Sequence, residues 1–313
     1  MTSTGVDAWR LADIPDQAGR TVIVTGTSVG GLGHHTALEL ARRGARVVLA
    51  GRSPAKLDET AETIDEEVPG AALERLEVDL ADLGSVRRAA EAATAFGPVD
   101  VLVNNAGVMG TPRQVTADGL ELQLATNHFG PFLLTGLLLP QLLASHDATV
   151  VTVSSGMHRA ARSAPLGDPR VHHGRYSKWA AYSRSKLANL LFTYELDRRA
   201  RAKELPLKAL AAHPGFAGTH LAANGQYGRP SGGIATILDA TVRAVSQSAA
   251  RGAWPLLMAA TADLPGSTYV GPNGLGELTG TPQVVTSTAL SHDEAAQRRL
   301  WELSEETTGI RYP

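Results

Sequence analysis

The feature that most constrains this chain is an alternation: short β-branched runs take turns with longer helical patterns through the first two hundred or so residues. TVIVT (21–25), RVVLA (46–50), LERLEV (73–78), VDVLV (99–103), ATVVTV (148–153) and LKALAA (207–212) read as strands. Between them lie segments such as TALELARRGA (36–45), apolar at helical spacing and stopped by Gly44. Strands apolar on both faces need cover on both sides, so this order predicts a doubly wound α/β fold, a parallel sheet with helices on both faces. TYVGP (268–272) supplies a seventh strand and SHDEAAQRRLWELSEE (291–306) a closing helix. From 215 to about 263 the order is less regular, with a Gly-rich stretch NGQYGRPSGG (224–233). Long irregular connections in compact domains tend to be binding loops or lids. One domain over 1–313, with a substrate-lid insertion at roughly 220–263, is the expectation.

Composition narrows the function. With 29 basic against 31 acidic side chains the formal charge is −2, which gives no electrostatic footprint for nucleic acid or an anionic membrane surface. The absence of cysteine removes disulfides, thiolate metal sites and cysteine nucleophiles together. The first twenty residues lack an unbroken apolar core, so no secretory signal is readable and a cytoplasmic location is expected. FLLTGLLLPQLLA (132–144) is too short to span a bilayer and contains Pro140, so a buried helix rather than a membrane span is expected.

The first strand runs straight into Thr25-Gly26-Thr27-Ser28-Val29-Gly30-Gly31-Leu32-Gly33, and a helical pattern follows at once. Glycines let a backbone turn tightly and approach a pyrophosphate, whose charge a helix N-terminus stabilises. In this βαβ setting the turn marks a Rossmann-type dinucleotide site. The tip of the second strand is where the adenine ribose should lie. No Asp or Glu stands there to bind a ribose 2′-hydroxyl; Arg52 offers a guanidinium to a 2′-phosphate instead. NADP(H) is thus favoured over NAD(H), the alternative being that Arg52 is a solvated loop cation.

Tyr182 and Lys186 stand four apart in the helical segment YSRSKLANLLFTYEL, so both project from one face. A nearby ammonium stabilises phenolate and suits a tyrosine to general acid or base work. Taken alone, the pair could equally be an exposed helix pair. However, Asn104-Asn105-Ala106-Gly107 follows the fourth strand, Ser154-Ser155 the fifth, and His213-Pro214-Gly215-Phe216-Ala217-Gly218-Thr219 the sixth. Each falls at the carboxyl end of a parallel strand, where an open α/β sheet places its ligand crevice.

These pieces, with Asp79 after the third strand and Asn127 in TNHFG, resemble the short-chain dehydrogenase/reductase family over nearly the whole chain. RRGARVVLAGRS, TNHFGPFLLT and YSRSKLANLLF are most similar to its retinol dehydrogenase and WW-domain oxidoreductase group. The resemblance implies an NADP(H)-dependent oxidoreductase acting on a carbonyl or alcohol of a small, partly apolar molecule. It implies that Tyr182 protonates the carbonyl oxygen, Ser155 hydrogen-bonds that oxygen, Lys186 holds the nicotinamide ribose and depresses the tyrosine pKa, and Asn127 positions a water beside the lysine. It assigns cofactor contacts to Gly26, Thr27, Ser28, Gly31, Leu32, Gly33, Arg52, Asp79, Leu80, Asn105, Ala106, Gly107, Tyr182, Lys186, Pro214, Gly215 and Thr219, and no metal.

Two departures from the family pattern stand out. Four residues, Thr27 to Gly30, separate Gly26 from Gly31 where the family has three, and Gly30 gives the longer turn its freedom. A connection holding His158, His172, His173 and Trp179 separates Ser155 from Tyr182, and reads as one wall of the substrate cleft. Tyr176 is a decoy, since Ala180 and not a lysine stands four residues on; His34-His35 and His172-His173 are neighbours that cannot share a face as metal ligands. Of Ser154 and Ser155 only one can face the site. Two rivals stay open: a reductase of a natural-product ketone or C=C bond on the same fold, and a dinucleotide-sensing binding protein without turnover. The helices carrying Asn127 and Tyr182 are apolar enough that a homo-oligomer is also an expectation.

Overall fold

The structure is a computed structural model that describes residues 9–171, 174–216 and 247–313. Its strands are β1 Thr21–Thr25, β2 Arg46–Gly51, β3 Leu73–Glu77, β4 Val101–Asn104, β5 Ala148–Val153, β6 Leu207–Ala212, β7 Tyr269–Pro272 and β8 Pro282–Val284. They form one sheet in the order β3-β2-β1-β4-β5-β6-β7-β8, parallel through β7, with β8 antiparallel at the edge. The chain reverses direction across the sheet between β1 and β4, which opens a crevice beyond their carboxyl ends.

Alternation within each strand feeds two cores. On β1, Val22 and Val24 pack against Ala37 and Leu40 of helix α1 (Leu32–Arg42) and Ile64 of α2 (Pro54–Glu67). Ile23 turns the other way, toward Val86 of α3 (Leu83–Ala93) and Leu133 of α5 (Gly130–Leu137). Both faces are dry, as a parallel sheet requires. The Asp82 carboxylate caps α3 by accepting from Gly84 N and Ser85 N. Ahead of α5 come α4 (Leu122–Leu124) and a π-helical turn, Ala125–Phe129; α6 (Leu139–Leu143) follows it.

The long helix α7 (Lys178–Ala202) is buried without a break from Ser185 to Asp197. An amphipathic surface helix would show a polar face. Here the outer side is covered by α10 (Glu294–Thr308): Leu300 and Leu303 pack on Leu187 and Leu191, and Trp301 stacks on Phe192 at 5.9 Å. Tyr312 closes over α5, where a Cβ on Gly136 would lie 2.5 Å from its ring. Parts of the apolar faces of α5 and α7 thus pack on the chain's own C-terminal segment.

The sheet has eight strands where seven were expected. β8 carries no readable signal, being three residues long with Gln283 and Val284 exposed. β4 starts two residues later than expected, because Asp100 turns aside to accept from Thr21 N at 2.8 Å and from the Ser145 hydroxyl at 2.7 Å. Of the segment expected as a lid, positions 220–246 lie outside the described residues. Its remainder includes α8 (Ala249–Gly252) and α9 (Trp254–Thr261), and α9 lies against the sheet with Leu256 and Leu257 fully buried.

Candidate active site

One wall of the crevice is made of backbone. The Thr25 hydroxyl accepts from Asn105 N and Ala106 N, each at 3.0 Å, and so holds the β1 and β4 turns together. The Asn105 amide donates to Thr25 O at 2.7 Å and Gly26 O at 3.1 Å, so this side chain braces the glycine turn. Gly26 has φ +75°, and a Cβ there would lie 2.8 Å from Ala106 Cα. A Cβ on Gly33 would lie 2.4 Å from Gly26 O. The extra residue is absorbed by a β-turn in which Gly31 N donates to Ser28 O at 3.0 Å and Gly30 takes φ +75°. Helix α1 then starts at Leu32 with Gly31 as its cap and no side-chain cap among the described residues. Its first N–H groups are thus left for an outside acceptor. The buried Thr27 hydroxyl has no hydrogen-bond partner among the described residues, and Ser28 is exposed. A cradle that any Cβ would fill, at an uncapped helix start, fits a dinucleotide pyrophosphate.

Around the cradle stand the other expected contacts. Arg52, exposed just past β2, has no ion pair or hydrogen bond among the described residues. Asp79 accepts from Ala81 N at 2.9 Å, and Leu80 is buried with its carbonyl where a Cβ on Gly130 would lie 2.2 Å away. Gly107 carries the loop after β4 over the second wall: a Cβ there would lie 3.0 Å from Asn127 Oδ1 and 3.5 Å from Lys186 Nζ. Pro214 and Gly215 follow β6; Gly215 has φ +66°, and Pro214 O accepts from Gln247 Nε2 at 2.6 Å. Thr219, His172 and His173 lie outside the described residues.

The second wall is made of buried side chains on β5, the π-helical turn and α7. Tyr182 and Lys186 are 5% and 4% exposed. The Ser155 side chain lies close enough to the Tyr182 hydroxyl to act on its ionisation. Lys186 Nζ lies 5.8 Å from the Tyr182 ring centroid and donates to Val153 O at 2.9 Å. Burial pushes the phenol up to about 12, against the opposing influence of Ser155. Burial pushes the lysine down to about 8. The lysine was expected to lower the tyrosine pKa; the group that does so here is Ser155, while the ammonium is engaged by the Val153 carbonyl. Asn127 Oδ1 accepts from Val108 N at 2.8 Å, and its Nδ2 donates to Val108 O and Ser185 Oγ, each at 2.9 Å. Ser185 Oγ in turn donates to Tyr182 O at 2.8 Å, so Asn127 ties the β4 loop to the turn of helix that carries the phenol. The π-helical turn widens the helix at Asn127, a distortion frequent at functional sites.

The two serines divide as alternation requires. Ser154 is buried and donates to Lys186 O at 2.8 Å, whereas Ser155 is half-buried beside the phenol. Tyr176, the decoy, is spent elsewhere: it donates to Glu121 at 2.9 Å and accepts from Gln123 at 2.7 Å, and burial pushes it up to about 12. The sequence gives no warning of Arg159 and Glu277, which join 118 positions apart at 2.9 Å beside the Ser155 turn.

A family model described as short chain dehydrogenase matches residues 20–165. Human retinol dehydrogenase 13 is 37% identical over 299 residues, covering 94% of this chain and 86% of that protein. The crystal structure of an uncharacterized protein from Mycobacterium paratuberculosis is similar at 43% identity and a TM-score of 0.80, over 98% of this chain and all of the other. A short-chain dehydrogenase from Escherichia coli CFT073, solved with NADPH, is 26% identical with a TM-score of 0.54, over 72% of this chain and 91% of that one. Among the described residues, no helix is long and apolar enough to cross a membrane.

Proposed function

Because the chain belongs to the short-chain dehydrogenase/reductase family, in its retinol-dehydrogenase-like group, and is therefore an oxidoreductase using a nicotinamide cofactor, we propose that it interconverts a carbonyl and an alcohol with NADP(H). One observation carries the reading: a buried phenol beside Ser155, with a buried lysine one turn along, stands across the crevice from a glycine cradle. The cofactor supplies or accepts the hydride. The protein's work is at the oxygen, where charge grows as the carbonyl is reduced and preorganised donors stabilise it. Tyr182 donates its proton to that oxygen, and with a pKa near 12 it holds the proton until one is needed. Ser155 is the second donor. Lys186, beside the Gly107 loop, would hold the nicotinamide ribose in this reading, and Asn127 fixes that loop.

Arg52 supports NADP(H) over NAD(H), since an exposed guanidinium without a partner among the described residues is free for a 2′-phosphate. The E. coli structure, which holds NADPH, agrees with that preference. Met157 and Trp179, both exposed apolar side chains near Ser155 and Tyr182, favour an apolar or partly apolar substrate, in keeping with a relative named for retinol. The test is a panel of apolar aldehydes, ketones and enones mixed with NADPH. Loss of the reduced-nicotinamide absorbance with an aldehyde or ketone is expected. Tight NADPH binding without loss of absorbance toward any of them would make the protein a dinucleotide sensor, and reaction with enones alone would make it a C=C reductase.

A further inference from the structure

Two turns flank the reacting centre in this reading: Ser155 after β5, and His213-Pro214-Gly215 after β6. Both are tied to one carboxylate. Glu277, in the loop between β7 and β8, accepts from Arg159 Nη2 with Oε1 at 2.9 Å and Oε2 at 3.1 Å, and its Oε2 lies 3.0 Å from His213 Nε2. His213 Nδ1 accepts from Gly215 N at 3.2 Å, so the ring proton sits on Nε2 and is donated to Glu277. The buried His213 reaches this position because β7 carries Gly271; a Cβ there would lie 2.1 Å from His213 Nε2.

The serine side is built the same way. His158 Nδ1 donates to Ser155 O at 2.7 Å, and Nε2 accepts from Thr288 N at 3.3 Å, which fixes the opposite tautomer. Burial pushes His158 down to about 4, so it stays neutral. Its neighbour Arg159 carries the contact to Glu277 and also donates to Thr286 O at 2.7 Å.

The backbone gives an independent indication. Glu277 has φ +57°, a left-handed conformation that is costly for a residue with a Cβ and easy for glycine. A glutamate held there, with its carboxylate shared between partners from two strand ends, is kept for the carboxylate. The hydrogen bond from His213, and then Arg159, hold that group below the usual carboxylate range against its partial burial.

We propose that Glu277 is a positioning residue that locks the Ser155 turn to the His213-Pro214-Gly215 turn and so sets the distance between the proton donors and the nicotinamide-binding turn. The proposal rests on the functional reading above. It predicts an asymmetry: cutting the Arg159 link disturbs only the serine side, whereas removing the carboxylate disturbs both.

The test compares Glu277→Gly, Arg159→Ala and Tyr182→Phe in the full chain, using NADPH and an aldehyde accepted by the wild type. Glu277→Gly removes the carboxylate and relieves the backbone, so the thermal midpoint should change little. Its kcat should fall by roughly 10- to 100-fold, as small misplacements of reacting groups do, and the KM for NADPH should rise. Arg159→Ala should lower kcat and leave the KM for NADPH within about twofold. Wild-type kcat and KM in Glu277→Gly would overturn the proposal, as would an equal rise in the KM for NADPH in Arg159→Ala. Should the glycine variant fail to fold, Arg159→Ala decides alone, and an unchanged kcat overturns the proposal. An inactive Tyr182→Phe beside a normal Glu277→Gly would sink the strut and leave the functional reading standing; an active Tyr182→Phe would sink the reading itself.

Discussion

The two walls of the crevice are made of different materials. The β1 wall is built of backbone: Gly26, Gly31 and Gly33 leave room that a Cβ would take, and Asn105 spends its amide on bracing the turn. The β5 and α7 wall works with functional groups taken out of water, so that Tyr182 is pushed up to about 12 and Lys186 down to about 8. It follows that the first wall should tolerate changes of chemistry and fail on added volume. The second should tolerate neither, because its groups are shifted by the packing that surrounds them.

The largest expected effect tests the backing of the second wall. Trp301 is 2% exposed, lies between Phe192, Phe132 and Tyr312, and donates from Nε1 to Glu305 at 2.9 Å. Trp301→Ala should cost about 3–5 kcal/mol in urea denaturation, the usual range for a buried aromatic. A loss below about 1 kcal/mol would mean that α10 does not support α7.

Next comes pH. The folded pKa of Lys186 is about 8 against 10.5 for the free side chain, so between these values the unfolded chain binds more protons and stability rises with pH. The slope is at most about 1.4 kcal/mol per pH unit. Above pH 10 tyrosines ionise in the unfolded chain while Tyr182 resists, which takes stability away again. Relative to Lys186→Met, the wild type should therefore gain stability from pH 8 to 10; parallel curves would show that the ammonium is not desolvated.

The first wall offers the converse. Gly33→Val places side-chain atoms against Gly26 O and should weaken NADPH binding by roughly 10- to 100-fold, the equivalent of about 1–3 kcal/mol of overpacking. Ser28→Ala on the same wall, an exposed position, should leave binding within about twofold. At the lower end of the range for Gly33→Val stands Arg52→Ala, which should raise the KM for NADPH by about 10-fold through one lost charge-assisted contact and leave that for NADH nearly unchanged. Equal effects on both cofactors would remove Arg52 from phosphate recognition.

The same contrast explains what could be read from sequence. β1, β5 and β6 are readable to their ends because both faces are buried and, Lys208 of β6 apart, their residues lie in the core. Tyr182 and Lys186 were readable because a helix fixes the relation of residues four apart. The longer glycine turn was visible as an insertion, but the β-turn that absorbs it at Gly30 was not. Nothing local announced that α7 is enclosed on all sides, since its cover, α10, arrives about a hundred residues later. Glu277 was invisible for the same reason: its partners stand 118 and 64 positions away, and no periodicity joins them.

The central claim is that turnover depends on the Tyr182 hydroxyl while cofactor recognition does not. Tyr182→Phe removes a single oxygen from a ring that is 5% exposed, so packing and NADPH affinity should stay within about twofold of wild type. In one single-turnover experiment with prebound NADPH and an accepted aldehyde, its rate of nicotinamide oxidation should fall by about 10²- to 10⁴-fold, the range for a lost general acid. A rate equal to that of the wild type would contradict the account.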